Sequence, residues 1–183
     1  MLGLLDDVAQ ELSSRGVAHA LIGAGALAFH GVSRSTFDLD LLVTDRAVLE
    51  ASFWVRLTGQ GIGLDLRIGE GDDPLAGVIR LSRPRSRSVD VVVGRAAWQS
   101  EALARATPRA LGAVPVPVVT SPDLVLLKLF AGGPQDAWDV EQLLALPDRT
   151  ELVQEVENRL HRLPSHAAEL WRKILGPPNA GRR

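Results

Sequence analysis

Two apolar stretches interrupted by aspartates constrain this chain more than any other feature. The first is Thr36-Phe37-Asp38-Leu39-Asp40-Leu41-Leu42-Val43 and the second is Ser88-Val89-Asp90-Val91-Val92-Val93. Both read as strands, where residues two apart project from the same face. Asp38 and Asp40 therefore point one way, while Leu39, Leu41 and Val43 point into a core. Their α-carbons lie one strand repeat apart, about 6.6 Å, so both carboxylates can reach the same bound cation. If the second strand lies beside the first, Asp90 joins them. Three carboxylates that close repel one another unless cations intervene. A half-exposed strand also alternates apolar with polar, so Asp-x-Asp alone is a weak signal. Aspartate is nevertheless a poor strand former, and three inside strands call for a reason.

The rest of the chain fits an α/β layout. Residues 2–15 carry Leu4, Leu5, Val8 and Leu12 at helical spacing, and Gly16 stops that helix. Val17–Ile22 reads as a strand, Ala26–His30 as a short helix, and Asp45–Leu57 as a longer one. Strands are expected at Leu64–Ile68, Ala76–Leu81 and Val89–Val93, with a helix at Arg95–Arg105. Ala110–Val119 is strand-like, but Pro115 and Pro117 restrict it to a sheet edge. At Ser121 the character turns helical: serine suits the N-cap, Pro122 the first helical position and Asp123 the first turn. Pro134 opens another helix, and two more follow near 150–160 and 164–174. The expected organisation is an α/β core at 1–120, with a small mixed sheet flanked by helices. A C-terminal helical segment at 121–175 packs on it, and 176–183 forms a flexible tail.

Between the first strand and the aspartates lies Leu21-Ile22-Gly23-Ala24-Gly25-Ala26-Leu27. A strand meeting a helix across small residues exposes backbone N–H groups that can hold phosphate. Tight strand–helix packing asks for the same residues. Arg34, Ser35 and Thr36 precede Asp38 and could touch phosphate, or form an ordinary polar loop.

Composition excludes several classes. The net charge of −2 leaves nucleic-acid contact to a local patch. The absence of cysteine excludes disulfides and thiolate-bound zinc. No signal peptide or membrane-length apolar run is expected, so the expectation is a soluble cytoplasmic protein without a membrane partner. A local patch does exist: Arg80, Arg83, Arg85 and Arg87 precede Asp90 and could steer an acceptor, or simply solvate a turn. Eighteen arginines against two lysines, Lys128 and Lys173, draw attention to Lys128, which interrupts the apolar helix Leu124–Phe130. A lysine there can also snorkel to water. Trp54, Trp98, Trp138 and Trp171 sit at apolar helical positions and read as core or interface.

In combination these residues resemble the nucleotidyltransferase superfamily related to DNA polymerase beta. The carriers are Ile22-Gly23-Ala24, then Asp38-Leu39-Asp40, then the distant Asp90. The order Gly23, His30-Gly31, Arg34-Ser35-Thr36, Asp38-Leu39-Asp40 is most similar to bacterial AbiEii-like toxin-type nucleotidyltransferases. Lys128 followed by Asp136-Ala137-Trp138-Asp139 resembles a later pair of helices in that group. The resemblance spans about residues 17–145. It departs at Ala24, where glycine or serine is usual, and at Gln135, where a basic residue often precedes the aspartate.

The resemblance implies an enzyme that moves a nucleoside monophosphate from an NTP (ATP among the candidates) to a hydroxyl, with two Mg²⁺ ions. It implies that Asp38, Asp40 and Asp90 bind metal and carry the catalysis. Gly23, Ala24, Arg34, Ser35, Thr36 and Lys128 would bind nucleotide. Asp136 and Asp139 would position the acceptor or hold Lys128. The acceptor would be RNA, such as a tRNA end, or a protein, with a cognate antitoxin as partner. An antibiotic nucleotidyltransferase of aminoglycoside or lincosamide type, and a non-catalytic nucleotide-binding module, are the alternatives.

Overall fold

The computed structural model describes residues 3–33, 38–111, 113 and 115–176. The chain divides into two compact units: residues 1–26 with 34–120, and residues 27–33 with 121–183.

The first unit is built on a seven-stranded mixed sheet. Its strands are β1 (His19–Ile22), β2 (Asp38–Val43), β3 (Gly63–Ile68), β4 (Leu75–Ser82), β5 (Ser88–Gly94), β6 (Thr107–Ala110) and β7 (Pro115–Val118). They run across the sheet in the order β3-β4-β5-β2-β1-β7-β6. The central β2–β5 pair is parallel, and β1–β2, β3–β4 and β4–β5 are antiparallel. Alternate residues of β2 and β5 form one buried apolar face, and Leu42 is buried on the other. Leu41, Val43, Val89, Val91 and Val93 have no exposed surface, and Leu39 has almost none. Helix α1 (Gly3–Ser14) packs on β5 and β1 through Leu4, Leu5, Val8 and Leu12. Gly16, at φ +70°, ends it in the left-handed conformation that glycine adopts without strain. Helix α2 (Gly23–Phe29) follows β1 directly, starting three residues before the expected Ala26.

Two expectations fail for physical reasons. The long helix expected at Asp45–Leu57 is instead a pair of 3-10 turns, Arg46–Leu49 and Ala51–Trp54, and the short helix α3 (Val55–Thr58). Glu50 is extended and breaks the ladder. Trp54 Nε1 donates to the Val48 carbonyl at 2.7 Å, taking an acceptor that a continuous helix would have used itself. Val48, Leu49, Phe53, Trp54 and Leu57 are still buried, so the helix-like pattern is met by successive tight turns.

The second correction concerns the prolines. Of the expected Ala110–Val119 strand, Pro115–Val118 forms β7, while Ala110 ends β6, a separate strand that takes the edge. Pro117 lies opposite Pro108, and β7 meets β1 only at Val118 and beyond, where the Val119 N–H donates to the Leu21 carbonyl. The missing proline donors thus fall outside the pairing with β1. Helix α4 (Ala97–Arg105), placed between β5 and β6, packs on β2.

The second unit is helical, with α5 (Ser121–Ala131), α6 (Pro134–Leu144), α7 (Arg149–Leu160) and α8 (Ser165–Leu175). Helix α5 is its centre and contacts the other three. Gly132, at φ +71°, turns the chain, and Pro134 opens α6. Trp54, Trp98 and Trp171 are buried, while Trp138 is exposed. Residues 177–183 of the expected tail lie outside the described residues. No helix among the described residues is long and apolar enough to cross a membrane.

Candidate functional site

The parallel register of β2 and β5 decides where the acids meet. Asp38 stands opposite Ser88, and Asp40 directly opposite Asp90. Alternation then puts Asp38, Asp40 and Asp90 on one sheet face, with Leu39, Leu41, Val89 and Val91 on the other. The Asp38 side chain is 39% exposed and that of Asp90 15%. Burial of the apolar alternates holds the register, since a slip by one residue would bury the acids and expose valine and leucine.

Gly23 makes room for Asp40. A β-carbon at residue 23 would collide with the Asp40 Oδ2, and the residue has φ +59°. Ile22, just before it, is the cross-strand partner of Asp40. Ala24 is buried at the start of α2. Arg34, Ser35 and Thr36 lie outside the described residues.

The fourth member of the cluster is Arg80. It is the cross-strand partner of Asp90 on β4. Its Nε donates to Asp90 Oδ1 at 2.8 Å and a terminal nitrogen to Oδ2 at 2.7 Å, a two-pronged clasp. The same terminal nitrogen donates to Asp38 Oδ2 at 3.2 Å. These contacts push the guanidinium further above its already high pKa, through the Asp90 hydrogen bonds first and then the charges of Asp90 and Asp38. Beside it is a cavity of about 180 Å³ lined by Asp65, Arg67, Val78, Arg80 and Asp90. Asp65 accepts from Arg67 at 3.2 Å, and both are exposed.

This set suits a cation in its donors. Carboxylate oxygens on one face are what Mg²⁺ prefers. A guanidinium already bridges Asp38 and Asp90 as a stand-in positive charge. Among the described residues no three acids or histidines are drawn together as a preformed metal cluster. Loading would require Arg80 to yield its place.

The remaining candidates belong to the helical unit. Lys128 is 8% exposed and does not snorkel to solvent. Its Nζ lies 2.8 Å from Asp136 Oδ1 and 2.7 Å from Asp139 Oδ2. The first contact is a hydrogen bond, while the second is an ion pair that lacks hydrogen-bond direction. Asp136 also accepts the Gly133 N–H at the start of α6, and Gln135 donates to Asp139. The i,i+3 spacing of the two aspartates thus turns both to one lysine.

Of the arginine run, Arg80 meets the acids and Arg83 pairs with Asp7 at 3.0 Å. Arg85 and Arg87 are exposed, Arg85 at φ +61° in the hairpin turn. Sequence reasoning grouped these four as a patch and missed the clasp of Arg80 on Asp90. A signal was present: residues 80 and 90 are equidistant from 85, so a hairpin turning there pairs them. Asp65 was missed because nothing in its own strand marks it.

No protein-family model matches the chain, and comparison with curated proteins gives no match. Solved structures do match. A Thermotoga maritima protein provisionally assigned as a nucleotidyltransferase has 14% identity and a TM-score of 0.54, covering 78% of this chain and 91% of that one. An antigenic nucleotidyltransferase-like protein from Paracoccidioides brasiliensis has 19% identity and a TM-score of 0.48, covering 92% and 91%. The antibiotic-resistance factor ANT(2'')-Ia has 14% identity and a TM-score of 0.49, covering 95% and 90%. The similarity to the Thermotoga maritima protein establishes the fold: a mixed α/β architecture of the nucleotidyltransferase type.

Proposed function

We propose that this chain is a metal-dependent nucleotidyltransferase that moves a nucleoside monophosphate from an NTP to a hydroxyl. The observation that carries this reading is the shared face of Asp38, Asp40 and Asp90, with a cation held against two of them. The fold is compatible with that chemistry but does not choose it. Asp38, Asp40 and Asp90 would hold Mg²⁺, which when bound supplies charge neutralisation for the triphosphate and polarises the acceptor hydroxyl.

The chain's own contribution is positioning. Gly23 leaves the Asp40 carboxylate its space at the end of β1. Backbone N–H groups at Gly23 and Ala24, with Arg34, Ser35 and Thr36, would orient the triphosphate. Within the helical unit Lys128 is held by Asp136 and Asp139, and a nucleotide-binding role for it is supported by the resemblance of its helix pair alone. Asp90 would take the acceptor proton on its carboxylate as the acceptor oxygen bonds to the α-phosphorus. The bond from that phosphorus to the bridging oxygen breaks, and pyrophosphate leaves.

For the acceptor we infer RNA, such as a tRNA end. Exposed Arg85 and Arg87 on the hairpin leading into the Asp90 strand favour a polyanion. The motif order of Gly23, Arg34-Ser35-Thr36 and Asp38-Leu39-Asp40 extends this to a toxin-type enzyme with an antitoxin partner. Calorimetric titration of each NTP with and without magnesium tests the metal and nucleotide parts. Magnesium-dependent binding, abolished in Asp38→Ala with the fold kept, is expected. An absence of binding to any NTP in the presence of magnesium would refute the reading.

A further inference from the structure

The clasp on Asp90 is one link in a row of directly opposed residues. Asp65 on β3 faces Arg80 on β4, Arg80 faces Asp90 on β5, and Asp90 faces Asp40 on β2. Neighbouring strands are about 4.8 Å apart, so Arg80 has an acid within side-chain reach on either side of one fixed α-carbon. It takes Asp90 and Asp38, with its side chain 48% exposed. On the other side, Asp65 pairs with Arg67 through side chains that are 55% and 80% exposed, and its charge already acts on Arg80. Exposed pairs of that kind exchange at little cost.

We infer that Arg80 is a built-in counter-cation for the acid site. It neutralises Asp38 and Asp90 before loading, and crosses to Asp65 when divalent cations take those carboxylates. The inference rests on the nucleotidyltransferase reading of the site. Arg80 is a positioning residue here: it sets how strongly the acids bind metal and has no part in bond making. Without it, Asp90 would lose its two-pronged partner, and repulsion among the acids on this face would rise. With it, metal must displace a two-pronged ion pair, so affinity is held down until triphosphate oxygens complete the metal shell.

The test is Mn²⁺ binding to the full chain without nucleotide, read by the spin-resonance signal of free Mn²⁺. Arg80→Gln is expected to bind roughly three- to tenfold more tightly than the parent. Arg80→Lys, which keeps the charge but loses the fork, should fall between them. Arg46→Gln, at an exposed arginine of the 3-10 turn Arg46–Leu49 and outside this row, controls for charge alone and should change affinity less than about twofold. Asp65→Asn should weaken binding when Arg80 is present and leave it unchanged in the Arg80→Gln background. Thermal unfolding of each variant verifies the fold.

Equal or weaker Mn²⁺ binding by a folded Arg80→Gln would overturn the counter-cation role while leaving the nucleotidyltransferase reading intact. An equal effect of Asp65→Asn in both backgrounds would overturn the crossing. Failure of both the parent and Arg80→Gln to bind Mn²⁺ would overturn the reading of the acid site itself.

Discussion

Gly23 turns its α-carbon toward the Asp40 carboxylate at a left-handed φ of +59°, and no side chain fits there. Gly23→Ala is therefore expected to cost about 1–2 kcal/mol from backbone conformation, with Asp40 displaced in addition. Thermal unfolding with parallel magnesium–NTP binding checks both effects, and binding should fall further than stability. Lys128 poses a different case. Asp139 is fully buried, so Lys128→Met takes away the cation paired with it and should cost about 3–5 kcal/mol in denaturant unfolding. The double variant Lys128→Met with Asp139→Asn should recover much of that loss. If nucleotide affinity stays low in the recovered double variant, Lys128 contributes to binding; if affinity returns, the lysine serves the fold. That Asp38 and Asp40 share a strand face was legible from their spacing, because strand alternation is a local property. The space beside Gly23 was not, because it depends on a partner seventeen positions away.

At the scale of elements, the strands carrying the acids were legible because each is an apolar run with β-branched or leucine residues on the buried alternates. The segment 45–58 was misread because its apolar spacing fits a helix equally well. The helix is interrupted at extended Glu50, and the Trp54 indole donates to the Val48 carbonyl across the break. Trp54→Phe should lose about 1 kcal/mol for that hydrogen bond, and Trp54→Ala about 3–5 kcal/mol for the emptied space. Chemical denaturation of the two variants separates the terms. The β4–β5 hairpin is the opposite lesson. Its turn near Pro84-Arg85 was visible, but the register that sets Arg80 against Asp90 follows only once the turn centre is fixed.

For the whole molecule, the mixed sheet followed by helices was readable from the change of pattern at Ser121. That residues 27–33 group with the helical unit was not, since chain continuity says nothing of which packing a short helix joins. The functional account depends on one arrangement, the three aspartates brought to a common face by a parallel strand pair that lies far apart in sequence. The most direct test is transfer of label from each α-labelled NTP, with magnesium and total bacterial RNA, comparing the parent with a folded Asp90→Asn. Label is expected on RNA with the parent and not with the variant. Label transfer that survives loss of the Asp90 carboxylate, or no transfer from any NTP, would contradict the proposed function.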